Sequence, residues 1–388
     1  MPDYPSPFAK PFQDLRVKDY NTQVPRPNAE EVARFPEQAR ALLDRIAIQQ
    51  ELFLTGTEYK LDWIKGHHFL LAGATGPGLG GAIESAVRHF THDTGSITVL
   101  ARDLSKSVGY EMGRQMIERA EQAGFGPRYH LMNEGMSLDG PAFEKTVAGL
   151  KASGVKEIIY INSVAAAMSG ILPGYPPIYV KDVDGEGLFQ WRLPALSDQA
   201  IESTRTVMGK LAVAFPRALE AAGFKVSVTC YIDWRGSLDV LSRDPQSNAY
   251  GRQGPYSTSL YLPKEYLQAD TIKAYGQGRV VLDCFLPVMR TRAINFIPGA
   301  TPQWYLISRL MDLSGIRRRD VPELALGVLD QIGKALSGGP YNPFPRLDDH
   351  ESPLDEWYRQ VVLRLNNDAN SEFFYKNWIK MDDNTSRQ

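Results

Sequence analysis

Gly73-Ala-Thr-Gly76-Pro-Gly78-Leu-Gly80 is the most informative stretch of this 388-residue chain. It follows the apolar run Phe69-Leu-Leu-Ala and precedes an amphipathic segment over 81–90, so the local pattern is strand, glycine-rich turn, helix. Glycines let the backbone approach a ligand closely, and the first turn of a helix offers unpaired N–H groups at the positive end of its dipole. The stretch is therefore predicted to hold a pyrophosphate. A P-loop is excluded, because no Gly-Lys-Ser/Thr follows the turn.

Short apolar runs and longer amphipathic segments alternate after this turn. Strands are predicted over 69–72, 96–101, 128–132, 157–162, 225–232 and 278–286. Helices are predicted over 81–90, 108–123, 140–153 and 197–222, the last stopping at Gly223. This alternation is typical of a parallel sheet with helices on both faces. The predicted fold class is α/β, a doubly wound Rossmann-type parallel sheet with helical additions.

Three parts of the chain are expected. Residues 1–65 read as a proline-rich N-terminal arm followed by a helical preface. Residues 66–290 form the dinucleotide-binding core, interrupted over 164–197 by a proline- and glycine-rich excursion that is predicted to be a hairpin near the cofactor site. Residues 291–388 are mainly helical and are expected to pack on the core, with clear helices at 304–313 and 321–336.

Composition limits the partners of this chain. The net charge of −2 gives no basic surface for nucleic acid or for a membrane, and no stretch approaches 18 apolar residues. The N-terminus has no signal-peptide pattern, so a cytoplasmic protein acting on a small molecule is expected. Cys230 and Cys284 lie in predicted buried strands and read as reduced core residues. Histidines and acids lack ligand spacing, so no metal site is predicted.

The end of the second predicted strand bears on the choice of dinucleotide. Arg102 is the first side chain past that strand and is followed by Asp103. An arginine at this point accommodates the 2′-phosphate of NADPH, whereas an acidic residue binds the free ribose hydroxyls of NADH. We expect NADPH through Arg102; NADH, with Asp103 as the ribose ligand, is the alternative.

Catalytic candidates lie in the tyrosine-rich segment after the strand over 225–232. Reduction of an enone or ketone places negative charge on the substrate oxygen, which a neutral phenol stabilises, and a nearby ammonium holds the nicotinamide ribose. Tyr250, Tyr256 and Tyr261 precede Lys264, and spacing alone does not choose among them. The alternative is an aromatic loop packed on the helical half of the chain.

Several segments, in the same order, resemble the single-chain trans-2-enoyl-thioester reductases, enlarged relatives of the short-chain dehydrogenase/reductases. The resemblance runs from about residue 66 to 320. It is carried by Gly78-Leu-Gly80-Gly-Ala, Ile158-Ile-Tyr-Ile-Asn-Ser163, Ile201-Glu-Ser-Thr-Arg-Thr-Val-Met208-Gly209, Ala218-Leu-Glu-Ala-Ala-Gly-Phe-Lys, Tyr231-Ile, and Thr291-Arg-Ala-Ile-Asn-Phe-Ile-Pro298-Gly-Ala-Thr-Pro302.

The resemblance implies a Rossmann core with a helical substrate lid, and reduction of the C2–C3 double bond of an enoyl thioester. The family's catalytic pair is Tyr-x8-Lys, and its lysine falls on Lys264. The position that matches the tyrosine is Pro255, so the tyrosine is placed on Tyr256, with one residue fewer before the lysine. A second, assisting tyrosine falls on Tyr231. The implied cofactor contacts are Gly73, Thr75, Gly76, Gly78, Leu79, Gly80, Arg102, Asp103, Asn162, Ser163 and Lys264.

This chain also departs from the family pattern. The glycine turn aligns only with a one-residue shift, and Arg102 stands where the family usually carries glutamate. The leading hypothesis is an NAD(P)H-dependent reductase of an acyl thioester or related enone, acting as a monomer or homodimer. A ketoreductase on the same fold and a non-enzymatic NADP(H) sensor are the alternatives.

Overall fold

A computed structural model describes residues 16–19, 61–75, 78–91, 94–101, 108–164, 178–184, 187–193, 198–233, 263–287, 289 and 319–347. The strands are β1 (Arg16–Asp19), β2 (His68–Ala72), β3 (Ser96–Leu100), β4 (Tyr129–Met132), β5 (Glu157–Asn162), β6 (Ile178–Asp184), β7 (Gly187–Leu193), β8 (Lys225–Asp233) and β9 (Val281–Phe285). The helices are α1 (Leu79–Thr91), α2 (Val108–Gln122), α3 (Gly140–Ala152), α4 (the consecutive segments Asp198–Arg205, Thr206–Lys210 and Leu211–Ala221), α5 (residues 263–276) and α6 (Val321–Leu336).

Six parallel strands form the main sheet, in the order β4-β3-β2-β5-β8-β9. Counted along these six strands, the order is 3-2-1-4-5-6, which is that of a doubly wound dinucleotide-binding fold. The predicted fold class is therefore confirmed. The strand order reverses between β2 and β5, and ligands of open α/β sheets bind at the carboxyl ends of the strands at such a point.

Helices cover both faces of this sheet because its strands are apolar on both sides. Along β2, Phe69 and Leu71 enter one core while Leu70 and Ala72 enter the other, and all four are buried. Residues of α1, α2 and α6 line the first core, and residues of α3, α4 and α5 line the second. Within the described ranges, no helix is long and apolar enough to cross a membrane.

Within the described residues, predicted and observed elements agree closely; the predicted helix at 304–313 and the helical preface before residue 61 lie outside those residues. The bounds of β5 and α6 are the predicted ones. A capping box starts α6: the Asp320 carboxylate accepts from the Glu323 N–H at 3.0 Å, and the Glu323 carboxylate accepts from the Asp320 N–H at 2.9 Å. Just beyond α4, Gly223 has a φ of +97°, the left-handed conformation that ends a helix at glycine.

Two elements differ from the sequence interpretation. Residues 263–276, for which the sequence predicted no helix, form the helix α5. It begins at Pro263 and buries Leu267, Asp270, Thr271 and Ala274, which lie on one helical face.

The second difference concerns the proline-rich arm. The excursion contains the predicted hairpin, with β6 and β7 antiparallel, and β1 from the arm adds to it as a parallel neighbour of β7. Its location near the cofactor site stays a prediction. Cys230 and Cys284 are buried and reduced, as expected, with their sulfur atoms 3.7 Å apart.

Candidate functional site

The carboxyl ends of the central strands bring the candidate residues to one edge of the sheet. Ala72 of β2 pairs with Asn162 of β5, which pairs with Tyr231 of β8. Neighbouring strands lie about 4.8 Å apart, so the ends of β2 and β8 are separated by about 10 Å. The glycine turn follows β2 directly, which places the turn and the end of β8 on either side of β5.

Gly73 begins the turn and lies against the end of β5. Its φ is +81°, a conformation that favours glycine. A Cβ added there would lie 2.6 Å from the carbonyl carbon of Ser163 and 2.7 Å from the backbone nitrogen of Val164. Both conformation and space therefore require glycine at this position. The turn crosses the point where the strand order reverses.

Gly80 makes a second close approach, from the first turn of α1. A Cβ on Gly80 would lie 2.4 Å from the Ser163 Oγ and 2.5 Å from the carbonyl oxygen of Gly73. This tight packing joins the helix start, the turn and the end of β5 into one unit. The first turn of α1 carries no acidic residue, and Arg88 and His89 lie in its last turn. The start of α1 thus keeps the positive dipole and close backbone that suit a pyrophosphate.

Asn162 and Ser163 shape the edge next to this turn. The Ser163 hydroxyl donates to the Ala72 carbonyl at 3.0 Å, and the Ser163 N–H donates to the same oxygen at 2.9 Å. The Asn162 side-chain oxygen accepts from the Val164 N–H at 3.0 Å. Both side chains therefore hold the chain as it leaves β5, in addition to the cofactor contacts predicted for them.

Lys264 reaches the end of β8 from the first turn of α5. Its Nζ lies 3.0 Å from Asp233 Oδ1 and donates to the Ile232 carbonyl at 3.2 Å. The Asp233 side chain is 1% exposed and that of Lys264 is 12% exposed. Gly209 of α4 permits this arrangement, because a Cβ there would lie 2.7 Å from the Pro263 carbonyl oxygen. The lysine predicted from the resemblance is thus held at the carboxyl edge of the sheet.

Tyr231 lies in the core beneath α5 and is fully buried. Its hydroxyl donates to Asp270 Oδ2 at 2.6 Å, and the other oxygen of Asp270 accepts from Arg217 of α4. Burial raises the pKa of Tyr231 well above its ordinary value, and the Asp270 carboxylate raises it further. Tyr231 is therefore a neutral phenol whose single proton is directed to Asp270.

Several predicted site residues are brought together here. Gly73, Gly80 and Ser163 are in mutual contact, Leu79 is buried at the start of α1, Thr75 and Gly78 lie in the same turn, and Lys264 stands at the end of β8. Gly76, Arg102, Asp103, Tyr250, Tyr256 and Tyr261 lie outside the described residues. The cofactor and catalytic roles of all these residues stay predictions.

Sequence reasoning missed two acidic residues of this region, Asp233 and Asp270. Asp233 is the last residue of a buried strand, where an acidic residue needs a partner, and that was an available signal. Asp270 falls on the apolar face of α5, so it could have been found once the helix was recognised. Their partners, Lys264 and Arg217, are distant in sequence and carry no such signal.

Comparison with known proteins finds similarity at the level of structure. No protein-family profile matches the chain, and no curated protein sequence matches it. The trans-2-enoyl-CoA reductase of Treponema denticola, solved in complex with NAD, aligns over 87% of this chain and 87% of its own, with 15% identity and a TM-score of 0.59. The enzyme of the same name from Clostridium acetobutulicum, also with NAD, aligns over 93% and 92%, with 14% identity and a TM-score of 0.59. At these identities the likeness shows a shared fold.

Proposed function

We propose that this chain is an NAD(P)H-dependent oxidoreductase that reduces the C2–C3 double bond of an α,β-unsaturated acyl thioester or related enone. The observation that carries the proposal is the unit formed by Gly73, Gly80 and Ser163, where a close-packed glycine turn meets the end of β5 at the reversal of strand order. Glycine at positions 73 and 80 lets the turn pack directly on the end of β5. The start of α1 then lies where backbone N–H groups bind a pyrophosphate in this fold. Two structures that share the fold over most of their length are NAD complexes of trans-2-enoyl-CoA reductases.

The proposed dinucleotide is NADPH. Arg102 follows β3 after Ala101, at the position from which a side chain meets the adenosine ribose in this fold. A guanidinium there supplies charge-assisted donors to a 2′-phosphate. Asp103 is the ribose ligand if the chain prefers NADH, and a comparison of the two affinities decides between them.

The chemistry divides between two ends of the site. NADPH, when bound, would supply a hydride to the β-carbon of the substrate, and a proton taken from solvent would complete the reduction at the α-carbon. The backbone from Gly73 to Gly80 holds the pyrophosphate, while Lys264 orients the ribose nearest the reacting carbon. We assign the donor to the enolate oxygen to Tyr256, because the single O–H of Tyr231 is already directed to Asp270. Tyr231 then acts by holding β8 and α5 together.

An assay with two substrates tests the proposal. Purified chain is titrated with NADPH and NADH by fluorescence, and dinucleotide oxidation is then followed at 340 nm with crotonyl-CoA and with acetoacetyl-CoA. We expect tighter binding of NADPH and oxidation with crotonyl-CoA. Oxidation with acetoacetyl-CoA alone would favour a ketoreductase, binding without any oxidation would favour a sensor, and no binding of either dinucleotide would contradict the proposal as a whole. Tyr256→Phe should abolish turnover and leave dinucleotide affinity within about twofold.

A further inference from the structure

We infer that Asp233 is the residue that positions Lys264 for dinucleotide binding. This inference rests on the proposed function. It assigns a role to a carboxylate at the carboxyl end of β8 that the resemblance does not supply. The ammonium of Lys264 is fixed by β8 rather than by its own helix, and its direction is set by Asp233.

The contacts of the ammonium support this role. A lysine ammonium has three N–H donors. Among the described residues, the ammonium forms an ion pair with Asp233 Oδ1 at 3.0 Å and donates a hydrogen bond to the Ile232 carbonyl at 3.2 Å. Both partners belong to the last two residues of β8, so the ammonium is held at the strand end by two contacts. We assign an N–H that no described residue accepts to a ligand at this edge.

The largely buried position of Lys264 requires the Asp233 carboxylate nearby. Lys264 is the second residue of α5, where the helix dipole disfavours a cation. The side chain of Lys264 is largely buried and that of Asp233 almost wholly so, and a buried charge requires an opposite charge nearby. Without Asp233 the ammonium would move toward water, away from the strand end. The carboxylate therefore determines where the lysine stands.

The charge of the pair also points to the kind of group that it binds. An ammonium beside a carboxylate is neutral as a unit, so its remaining N–H suits an uncharged hydroxyl better than a phosphate. The nicotinamide ribose presents such hydroxyls, whereas the pyrophosphate belongs to the start of α1. The site thus separates hydroxyl recognition at the end of β8 from anion recognition at the turn after β2.

A double-mutant cycle tests the inference. Asp233→Asn, Lys264→Met and the double variant are titrated with NADP⁺ by calorimetry, alongside thermal unfolding of each protein. If Asp233 acts through Lys264, Asp233→Asn weakens NADP⁺ binding about tenfold, roughly the worth of one hydrogen bond. The double variant then binds no more weakly than Lys264→Met alone, because the second change removes nothing further.

A matched control and a reserve variant complete the design. Asp330→Asn removes the carboxylate that lies 2.6 Å from Lys334 within α6, and it should leave NADP⁺ affinity unchanged. If Asp233→Asn does not fold, Asp233→Glu replaces it, since it keeps the charge, displaces the ammonium by one methylene, and is expected to weaken binding in the same way.

The outcomes separate this inference from the proposed function. A parent protein that binds neither the phosphorylated nor the unphosphorylated dinucleotide contradicts the proposed function itself, and a parent that binds only NAD⁺ is carried through the same cycle with NAD⁺. If the parent binds the dinucleotide, two results overturn only the positioning role of Asp233. One is an Asp233→Asn variant of unchanged affinity. The other is a double variant in which the losses of affinity from the two single changes add.

Discussion

Replacing Gly80 by alanine is expected to damage both the stability of the chain and its dinucleotide site. The new Cβ would lie 2.4 Å from the Ser163 Oγ and 2.5 Å from the Gly73 carbonyl oxygen, whereas ordinary contacts begin near 3.4 Å. The Ser163 hydroxyl can rotate away only by giving up its bond to the Ala72 carbonyl at 3.0 Å. The Gly73 carbonyl is backbone, so the turn itself must shift by about 1 Å.

These displacements set the expected magnitudes. Overpacking of this kind costs about 1–3 kcal/mol, and loss of the Ser163 bond adds about 1 kcal/mol. We therefore expect Gly80→Ala to lose roughly 2–4 kcal/mol of unfolding free energy, measured by urea denaturation. A shift of about 1 Å in the turn should also weaken NADPH binding at least about tenfold in a fluorescence titration.

Gly140→Ala is the matched control. A Cβ at Gly140, the first residue of α3, meets nothing within 4 Å. Its stability should stay within about 0.5 kcal/mol of the parent, and its affinity for NADPH should be unchanged. A Gly80→Ala protein that matches the control in both stability and affinity would refute the role given to the turn.

Two further changes probe the buried polar groups. Tyr231→Phe removes the hydroxyl that donates to the Asp270 carboxylate at 2.6 Å, so urea unfolding should show a loss of about 1.5–3 kcal/mol in unfolding free energy. The kcat should fall far less than in Tyr256→Phe. An equally large fall in kcat would assign the proton-donor role to Tyr231 instead. His68, which contacts Ser96 Oγ at 2.7 Å, has its pKa lowered from 6.5 to about 3 by burial and, to a lesser extent, by His130. Between pH 6.5 and pH 3, His68 is protonated in the unfolded chain but stays neutral in the folded chain. Its contribution to the free energy of unfolding is therefore complete above pH 6.5 and is lost as the pH falls toward 3. The loss of unfolding free energy approaches about 1.4 kcal/mol per pH unit. Measured by urea denaturation, His68→Asn should therefore lose less stability than the parent when the pH is lowered from 7 to 5. Equal losses in the two proteins would contradict this.

Most of the fold could be read from the sequence because its signals are local. A strand buried on both faces gives a continuous apolar run, as in Phe69-Leu-Leu-Ala, and the turn after it carries its own glycines. The alternation with helices indicates a doubly wound parallel sheet, whereas the order of the strands within the sheet was seen only in the structure. β1 gave no such signal, since Arg16-Val-Lys-Asp is short and polar, and it is a strand only through pairing with β7, about 170 positions later in the chain.

The site was harder to predict because its side chains are arranged by distant contacts. Lys264 could be matched by resemblance, but its ion pair with Asp233 depends on the packing of α5 against the end of β8. Tyr231 was matched at the right strand end, yet its hydroxyl partner Asp270 lies 39 residues away on a helix that was not foreseen. The sequence pattern located the ends of the strands. The partners of the Lys264 ammonium and of the Tyr231 hydroxyl depend on how the helices pack against those strand ends.

Transfer of an isotope from cofactor to substrate tests the central claim most directly. NADPH carrying deuterium at both C4 positions is incubated with crotonyl-CoA and the purified chain in ordinary water, and the acyl product is analysed by mass spectrometry and NMR. The proposed function predicts butanoyl-CoA with one deuterium, located on C3. Unreduced crotonyl-CoA, or reduced product without deuterium at C3, would contradict it.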